Sequence, residues 1–264
     1  MASNPAPTLP LLYKALEPIS RQAHGEMKFR QQDGLEEMGT INALPLTVDE
    51  FGLAHRNYPI IFSNDDQMIP LALMGLHDGT NVFFDAKGLP HDKRTYIPAY
   101  VRRYPFMLAQ LEQGNDTLSL CYDHTSGALD KKGDGEPVFE GEEASAMAKQ
   151  VLDCCEQFEQ AGQRTAAFVA ELKEYDLMME GEVAIQVDDS GQPFVYRGFR
   201  MVDEEKFRNL SGDKLRKMNK SGMLALIMAH LFSLSLVRDL FSRHIEQGTG
   251  PKPANGAPAE KADA

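Results

Sequence analysis

No tryptophan occurs in the 264-residue chain, and cysteine occurs only three times, at Cys121, Cys154 and Cys155. So sparse and odd a set carries no disulfide framework, and adjacent Cys154 and Cys155 would need unusual backbone geometry to bridge each other. A reducing compartment is therefore expected. Excess positive charge is missing too: 39 acidic against 27 basic residues leave a formal charge of −12. Duplex binding draws on clustered Lys and Arg, so no nucleic-acid partner is expected. The N-terminus has neither a basic leader nor the apolar stretch of roughly 7–15 residues that a secretory signal needs. A cytoplasmic location is the resulting expectation.

Fingerprints of cofactors and metals are also wanting. The turn glycines Gly75, Gly79 and Gly88 match neither a phosphate-binding loop nor a dinucleotide fingerprint. No serine sits in a G-x-S-x-G elbow. Cys121 and His124, with Asp123 between them, approximate one metal-ligand pair, but a structural zinc site takes two. His77-Asp78 and His91-Asp92 are adjacent pairs, without the spacing that begins a facial triad. Neither a cofactor nor a metal is expected. Cys154 and Cys155 have no basic helper nearby in sequence, and such thiols are usually inert.

What the chain does have is one long apolar segment, Gly222 to Phe241. A helix apolar on most sides is buried in a protein core or in lipid. His230, Ser233, Ser235, Arg238 and Asp239 interrupt the run, and an Asp costs about 2.5–3.5 kcal/mol at the centre of a span. The segment is read as an internal core helix rather than a membrane span, with His230 a satisfied core histidine. Residues 1–10 carry three prolines, and residues 247–264 are almost all small, polar or helix-breaking. Both are expected to be flexible, leaving one domain over residues 11–246.

Short apolar runs at Asn57–Phe62, Met68–Leu76 and Val82–Phe84, each closed by an Asn/Asp/Gly cluster, predict an antiparallel meander. Tyr96 to Gln113 reads as a short helix, a break at Pro105 and a second short helix. Leu118–Tyr122 reads as a fourth strand and Asp130–Glu143 as a loop. Met147–Phe158 and Thr165–Met178 fit two helices separated by Gly162. Glu182–Val187 and Pro193–Arg200 flank the turn Asp189-Ser190-Gly191 as a hairpin. Short capped helices over Asp203–Leu210 and Asp213–Asn219 lead into the apolar one. Strands and helices segregate, so the class is α+β: an antiparallel meander and hairpin sheet against a helical layer.

Several strings stand together in order. They are Tyr58-Pro-Ile-Ile-Phe62, Leu71-Ala-Leu-Met-Gly-Leu76, Asn81-Val-Phe-Phe-Asp85 and Tyr96-Ile-Pro-Ala-Tyr-Val-Arg-Arg-Tyr-Pro-Phe106. Gly222-Met-Leu and the following residues to Leu234 complete the set. In this order and spacing the chain resembles the bacterial SapC family, named for a surface-layer-associated gene product, over roughly Leu12 to Phe241. The resemblance brings no catalytic residues with it. It implies a setting near halogenase-like proteins, cupin-like oxygenases and TonB-dependent receptors, hence cell-surface, peptide or nutrient-uptake roles. Many members carry a tryptophan just after the Lys87-Gly88 position, where this chain has Leu89-Pro90. The transporter role that the name suggests needs several spans, and the chain offers one doubtful candidate.

The most suggestive chemistry is Arg102 and Arg103, set between Tyr100 and Tyr104. Guanidinium forks bind carboxylate or phosphate bidentately and stack on aromatic rings. The same residues are accounted for if one arginine pairs with a carboxylate while tyrosines pack on its stem. Arg21 and His24 are candidates to join them in holding an acidic group, or belong to a capping or surface network. Three readings follow: a non-enzymatic binding or accessory protein for a peptide or protein partner, an enzyme acting on a peptide or protein with an anion site at Arg102 and Arg103, or a surface-layer subunit. The first is favoured, since exposed strand edges accept extended peptides.

Overall fold

Ile60, Ile61 and Phe62 are all buried, the pattern of a strand covered on both faces, and they form the middle of the main sheet. The computed structural model describes residues 9–111, 117–185 and 193–250. Its five-stranded sheet runs Met178–Ile185, Phe194–Val202, Ile60–Phe62, Pro70–Leu73, Ala43–Pro45. Two hairpins make it. Ile60 pairs antiparallel with Ala72 and Phe62 with Pro70, while Met178 pairs with Val202 and Ile185 with Phe194. They join where Arg200 meets Phe62. The expected turn at Asp189-Ser190-Gly191 lies outside the described residues.

The α+β class holds, with four local corrections. Val82–Phe84 is not a strand: Asn81 Oδ1 accepts the N–H groups of Phe83 and Phe84 at 2.8 and 3.2 Å, removing them from any ladder. Ala43–Pro45 takes the place beside Pro70–Leu73 instead. Beyond Pro105, Phe106–Gln110 is a strand, paired with Leu118–Asp123. Leu118–Asp123 also pairs with Leu16–Pro18, giving a three-stranded side sheet. Within the expected acidic loop, Glu136–Pro137 pairs with Lys28–Phe29, which also pairs with Leu129–Asp130. Phe139–Glu140 and Glu143–Ala144 form a further small hairpin.

The fourth correction concerns Gly162, which does not divide two helices. One helix runs Ala146–Glu174, capped by Ser145, whose hydroxyl accepts the Ala148 N–H at 3.1 Å. Glycine costs a helix interior only about 1 kcal/mol relative to alanine, and packing at both ends outweighs it. Cys155 packs with Phe106, Leu108 and Tyr122 of the side sheet. Phe168, further along, lies 5.9 Å from Phe51 and 6.4 Å from Phe62, ring centre to ring centre. The helix thus bridges the two sheets.

The C-terminal apolar segment forms helices Met223–Ser233 and Leu236–Glu246. At the junction Leu234 and Ser235 keep right-handed helical dihedrals, and their N–H groups bond three residues back, to Leu231 and Phe232. By length and composition this stretch could cross a membrane, and only about a third of its most apolar window is buried in the fold. Met223, Ile227, Val237 and Leu240 face the core. Buried His230 and Ser233 join the helix to the sheet. The His230 Nδ1–H donates to Ile60 O (2.8 Å), and Nε2 accepts from Val202 N (3.1 Å). Ser233 Oγ accepts from Ile60 N (2.8 Å) and donates to His230 O (2.6 Å). Burial lowers the His230 pKa to about 4, so the ring is neutral at pH 7, as the satisfied-core reading requires. The outer face is different: Phe232 is 62% exposed.

Candidate functional site

The segment carrying the two arginines starts from Glu50, buried in a capping box with Thr47. Its Oε2 accepts from the Thr47 N–H and hydroxyl, both at 2.9 Å. Its Oε1 accepts from the Ala99 N–H at 2.6 Å and the Tyr96 hydroxyl at 3.0 Å. The helix Ala99–Arg102 is a single turn with no side-chain cap of its own, so Glu50 supplies one. Burial, and after it the Glu50 charge, pushes the Tyr96 phenol up to about 12.

Arg102 and Arg103 diverge from the end of that turn. Arg102 lies toward solvent, donating to the Tyr96 hydroxyl at 3.2 Å and resting 5.6 Å from the Tyr96 ring centre. Arg103 turns inward, its side chain only 5% exposed. Its guanidinium carbon lies 4.0 Å from the ring centre of Phe158, 4.9 Å from Tyr100 and 5.8 Å from Tyr13. One carboxylate approaches it: Glu159 Oε1 stands 3.4 Å from Nη1. The Nε–H of Arg103 is buried and has no acceptor among the described residues.

The cage around Arg103 is held by backbone acceptors. The Tyr13 hydroxyl donates to Phe106 O and the Tyr100 hydroxyl to Leu11 O, both at 2.7 Å. Burial raises the pKa of both phenols. Tyr104 meets Tyr13 edge to face at 5.3 Å, and a cis peptide bond joins it to Pro105. Of the residues singled out in the sequence, Tyr100 and Arg103 come together, with Arg102 and Tyr104 at their side.

Arg21 and His24 are placed elsewhere. Arg21 is exposed, pairs with Glu142 and donates through Nε to Gly141 O at 2.9 Å. His24 is buried, accepts the Ser20 N–H at Nδ1 (3.1 Å) and meets Tyr122 edge to face at 5.2 Å. No described hydrogen bond, ion pair or ring contact joins either residue to Arg102 or Arg103. The structure shows a surface pair for Arg21 and a bond to the helix-capping Ser20 for His24.

Arg103 lines a cleft of about 660 Å3 between the long helix, the Ala99–Arg102 turn and the loops at Gln31–Leu35 and Phe84–Pro90. Its apolar wall includes Leu35, Met38, Val101, Phe106, Met147 and Val151, with amides from Gln31, Gln32 and Gln150. Asp33 and Glu136 are its acidic members. Both loops are fixed by backbone contact. Gly88 has φ +72°, and a Cβ there would meet Leu35 O at 1.9 Å, so glycine alone fits. Asp85 Oδ1 closes the turn by accepting from the N–H groups of Lys87 and Leu89, both at 2.9 Å. Gly88 and Pro90 line the cleft and Leu89 is 38% exposed, so Leu89-Pro90 lies at its rim.

A shallower hollow of about 400 Å3, with Arg56, Arg94, Asn57 and Thr95, meets the cleft at Ile97 and Arg102. Arg94 is already held by Asp92, at 2.9 Å. Cys154 and Cys155 also border the main cleft. Burial pushes the Cys155 thiol up to about 12, the opposite of an activated nucleophile. No cluster of three or more potential metal ligands exists among the described residues.

Tyr13, Phe158, Glu159 and Glu50 were not visible as site residues in the sequence. Phe158 stood out only as one apolar position on a helical stripe. Tyr13 precedes Arg103 by 90 positions and Glu159 follows it by 56, and no local spacing signals such a cage.

A family model described as SapC matches residues 19–240. No curated protein matches the chain, and no solved structure does.

Proposed function

The chain belongs to the SapC family, and from that premise we propose that it is a binding or accessory protein whose cleft seats a segment of a peptide or protein partner. One observation carries this reading. The cleft joins an apolar wall to side-chain amides and one caged guanidinium, the mixture that grips a chain's side chains while satisfying its backbone. Its volume suits a few residues.

Binding is favoured over catalysis by the state of the candidate reactive groups, those of the cleft and those elsewhere in the fold. The buried thiol is pushed up by burial. His24 and His230 are occupied in structural hydrogen bonds. The tyrosine hydroxyls of the cage donate to backbone carbonyls. Free Cys121, Cys154 and Cys155 accord with a bacterial cytoplasmic setting, and we assign the partner to a cell-surface, nutrient-uptake or peptide-modification system on family grounds alone. The C-terminal helix is taken as a core strut anchored through His230 and Ser233.

Affinity selection from a random hexapeptide pool tests the cleft. Gln150 is exposed and lines it, so Gln150→Trp fills the space without disturbing the core. The wild-type chain should retain a defined subset of peptides that Gln150→Trp loses, at an unchanged melting temperature. Equal retention by both proteins would place binding elsewhere.

A further inference from the structure

We propose that Arg103 anchors a carboxylate of the bound peptide, an inference that rests on the cleft being the peptide seat. A guanidinium is charged at all physiological pH and offers five donors in a planar fork. Here that fork is 95% out of solvent by side-chain area, since 5% remains exposed. Aromatic rings of Phe158, Tyr100 and Tyr13 crowd it. Its one carboxylate neighbour among the described residues, Glu159, is 40% exposed and stands at a long 3.4 Å. The buried Nε–H has no acceptor among the described residues. Native proteins rarely leave a charged, buried donor unmatched. Arg103 borders the cleft between the long helix and the Ala99–Arg102 turn, so an acceptor brought by a ligand completes it.

The surroundings select the class of anion. Two parallel N–H···O bonds from a guanidinium edge match a flat carboxylate. A phosphate dianion would need more positive charge than the cleft holds: Arg103 is already shared with Glu159, and the exposed Arg102 is opposed by Asp33 and Glu136 in the same lining. The apolar wall then takes the side chains next to the carboxylate. A terminal carboxylate and an Asp or Glu side chain share this chemistry, and the test separates them.

Three pools of N-acetylated hexapeptides with randomised apolar residues serve as probes: one ending in a free carboxylate, one in a carboxamide, and one in a carboxamide but containing a single Asp or Glu. Binding to the full-length chain is read by fluorescence anisotropy. The free-acid pool should bind roughly ten- to a hundredfold more tightly than the plain carboxamide pool, the worth of a hydrogen-bonded charge pair. A matching gain for the Asp/Glu pool would make a side-chain carboxylate the anchored group. Arg103→Lys keeps the charge but loses the fork, and should reduce the preference several-fold. Arg103→Gln should abolish it, and if that variant does not fold, the wild-type comparison and Arg103→Lys still decide. Equal binding of acid and carboxamide pools, both lost in Gln150→Trp, would overturn the anchor and leave the cleft standing. Binding of no pool by the wild type would overturn both. Competition by inorganic phosphate at concentrations where acetate has no effect would overturn the carboxylate assignment.

Discussion

Glu50 Oε1 stands 2.6 Å from the backbone nitrogen of Ala99 and 3.0 Å from the hydroxyl oxygen of Tyr96, so one buried carboxylate sets both the turn that launches the arginines and the ring on which Arg102 rests. Glu50→Gln replaces an acceptor oxygen by a donor, leaving at least one buried N–H or hydroxyl unpaired. The expected loss is about 1–3 kcal/mol, read by urea denaturation. A change below about 0.5 kcal/mol, the range of a surface substitution, would show that water or another group replaces the carboxylate.

His230 makes stability depend on pH with a definite sign. Its folded pKa is lowered from 6.5 to about 4, so the unfolded chain takes up the proton first as pH falls. The stabilisation is complete above pH 6.5, is lost between pH 6.5 and 4, and amounts to about 3 kcal/mol for a shift of that size. His244, lowered by burial as well, adds in the same direction. His230→Gln, whatever its stability at pH 7, should show a shallower decline across that window. An unchanged slope would mean that His230 does not stay neutral in the fold.

The two faces of the C-terminal helix predict opposite responses. Ile227 is fully buried, and Ile227→Ala should cost about 2–5 kcal/mol. Phe232 is 62% exposed, and Phe232→Ser should change stability by less than about 1 kcal/mol. Equal large losses would show that Phe232 is covered, by another copy or another protein.

Gly162 sits inside the long helix with nothing within 4 Å of a Cβ built on it. Gly162→Ala should therefore stabilise the chain by about 0.5–1 kcal/mol, measured as a raised urea midpoint. A destabilised variant would mean that the helix needs flexibility, or a second surface, at that point.

These responses show which parts of the fold the sequence made legible. Ile60–Phe62, the hairpin expected over Glu182–Val187 and Pro193–Arg200 and the apolar helix were readable because local periodicity reports burial directly. The first strand of that hairpin begins earlier, at Met178, which the same periodicity assigned to a helix that ends at Glu174. The inner face of the apolar helix, with His230 and Ser233 as bonded inclusions, followed from the same pattern. Its outer face did not, because periodicity cannot say where a neighbour ends. Phe106–Gln110 was misread as helix because its strand character comes from its partner Leu118–Asp123. Gly162 misled in the other direction, since tertiary packing outweighs the small propensity cost. In the candidate site, the Tyr/Arg string was visible but the divergence of Arg102 from Arg103 was not. That divergence depends on Glu50 and Tyr96 on one side and on Tyr13, Phe158 and Glu159 on the other, contacts made across the chain.

The most direct measurement follows the Arg103 Nε–Hε resonance by heteronuclear NMR while the free-acid peptide pool is added. With a carboxylate seated against the fork, the resonance should shift downfield and exchange more slowly with water, and the carboxamide pool should not reproduce either change. A saturable binding isotherm that leaves the Arg103 signal unmoved, or that moves it equally with the carboxamide pool, would contradict the account.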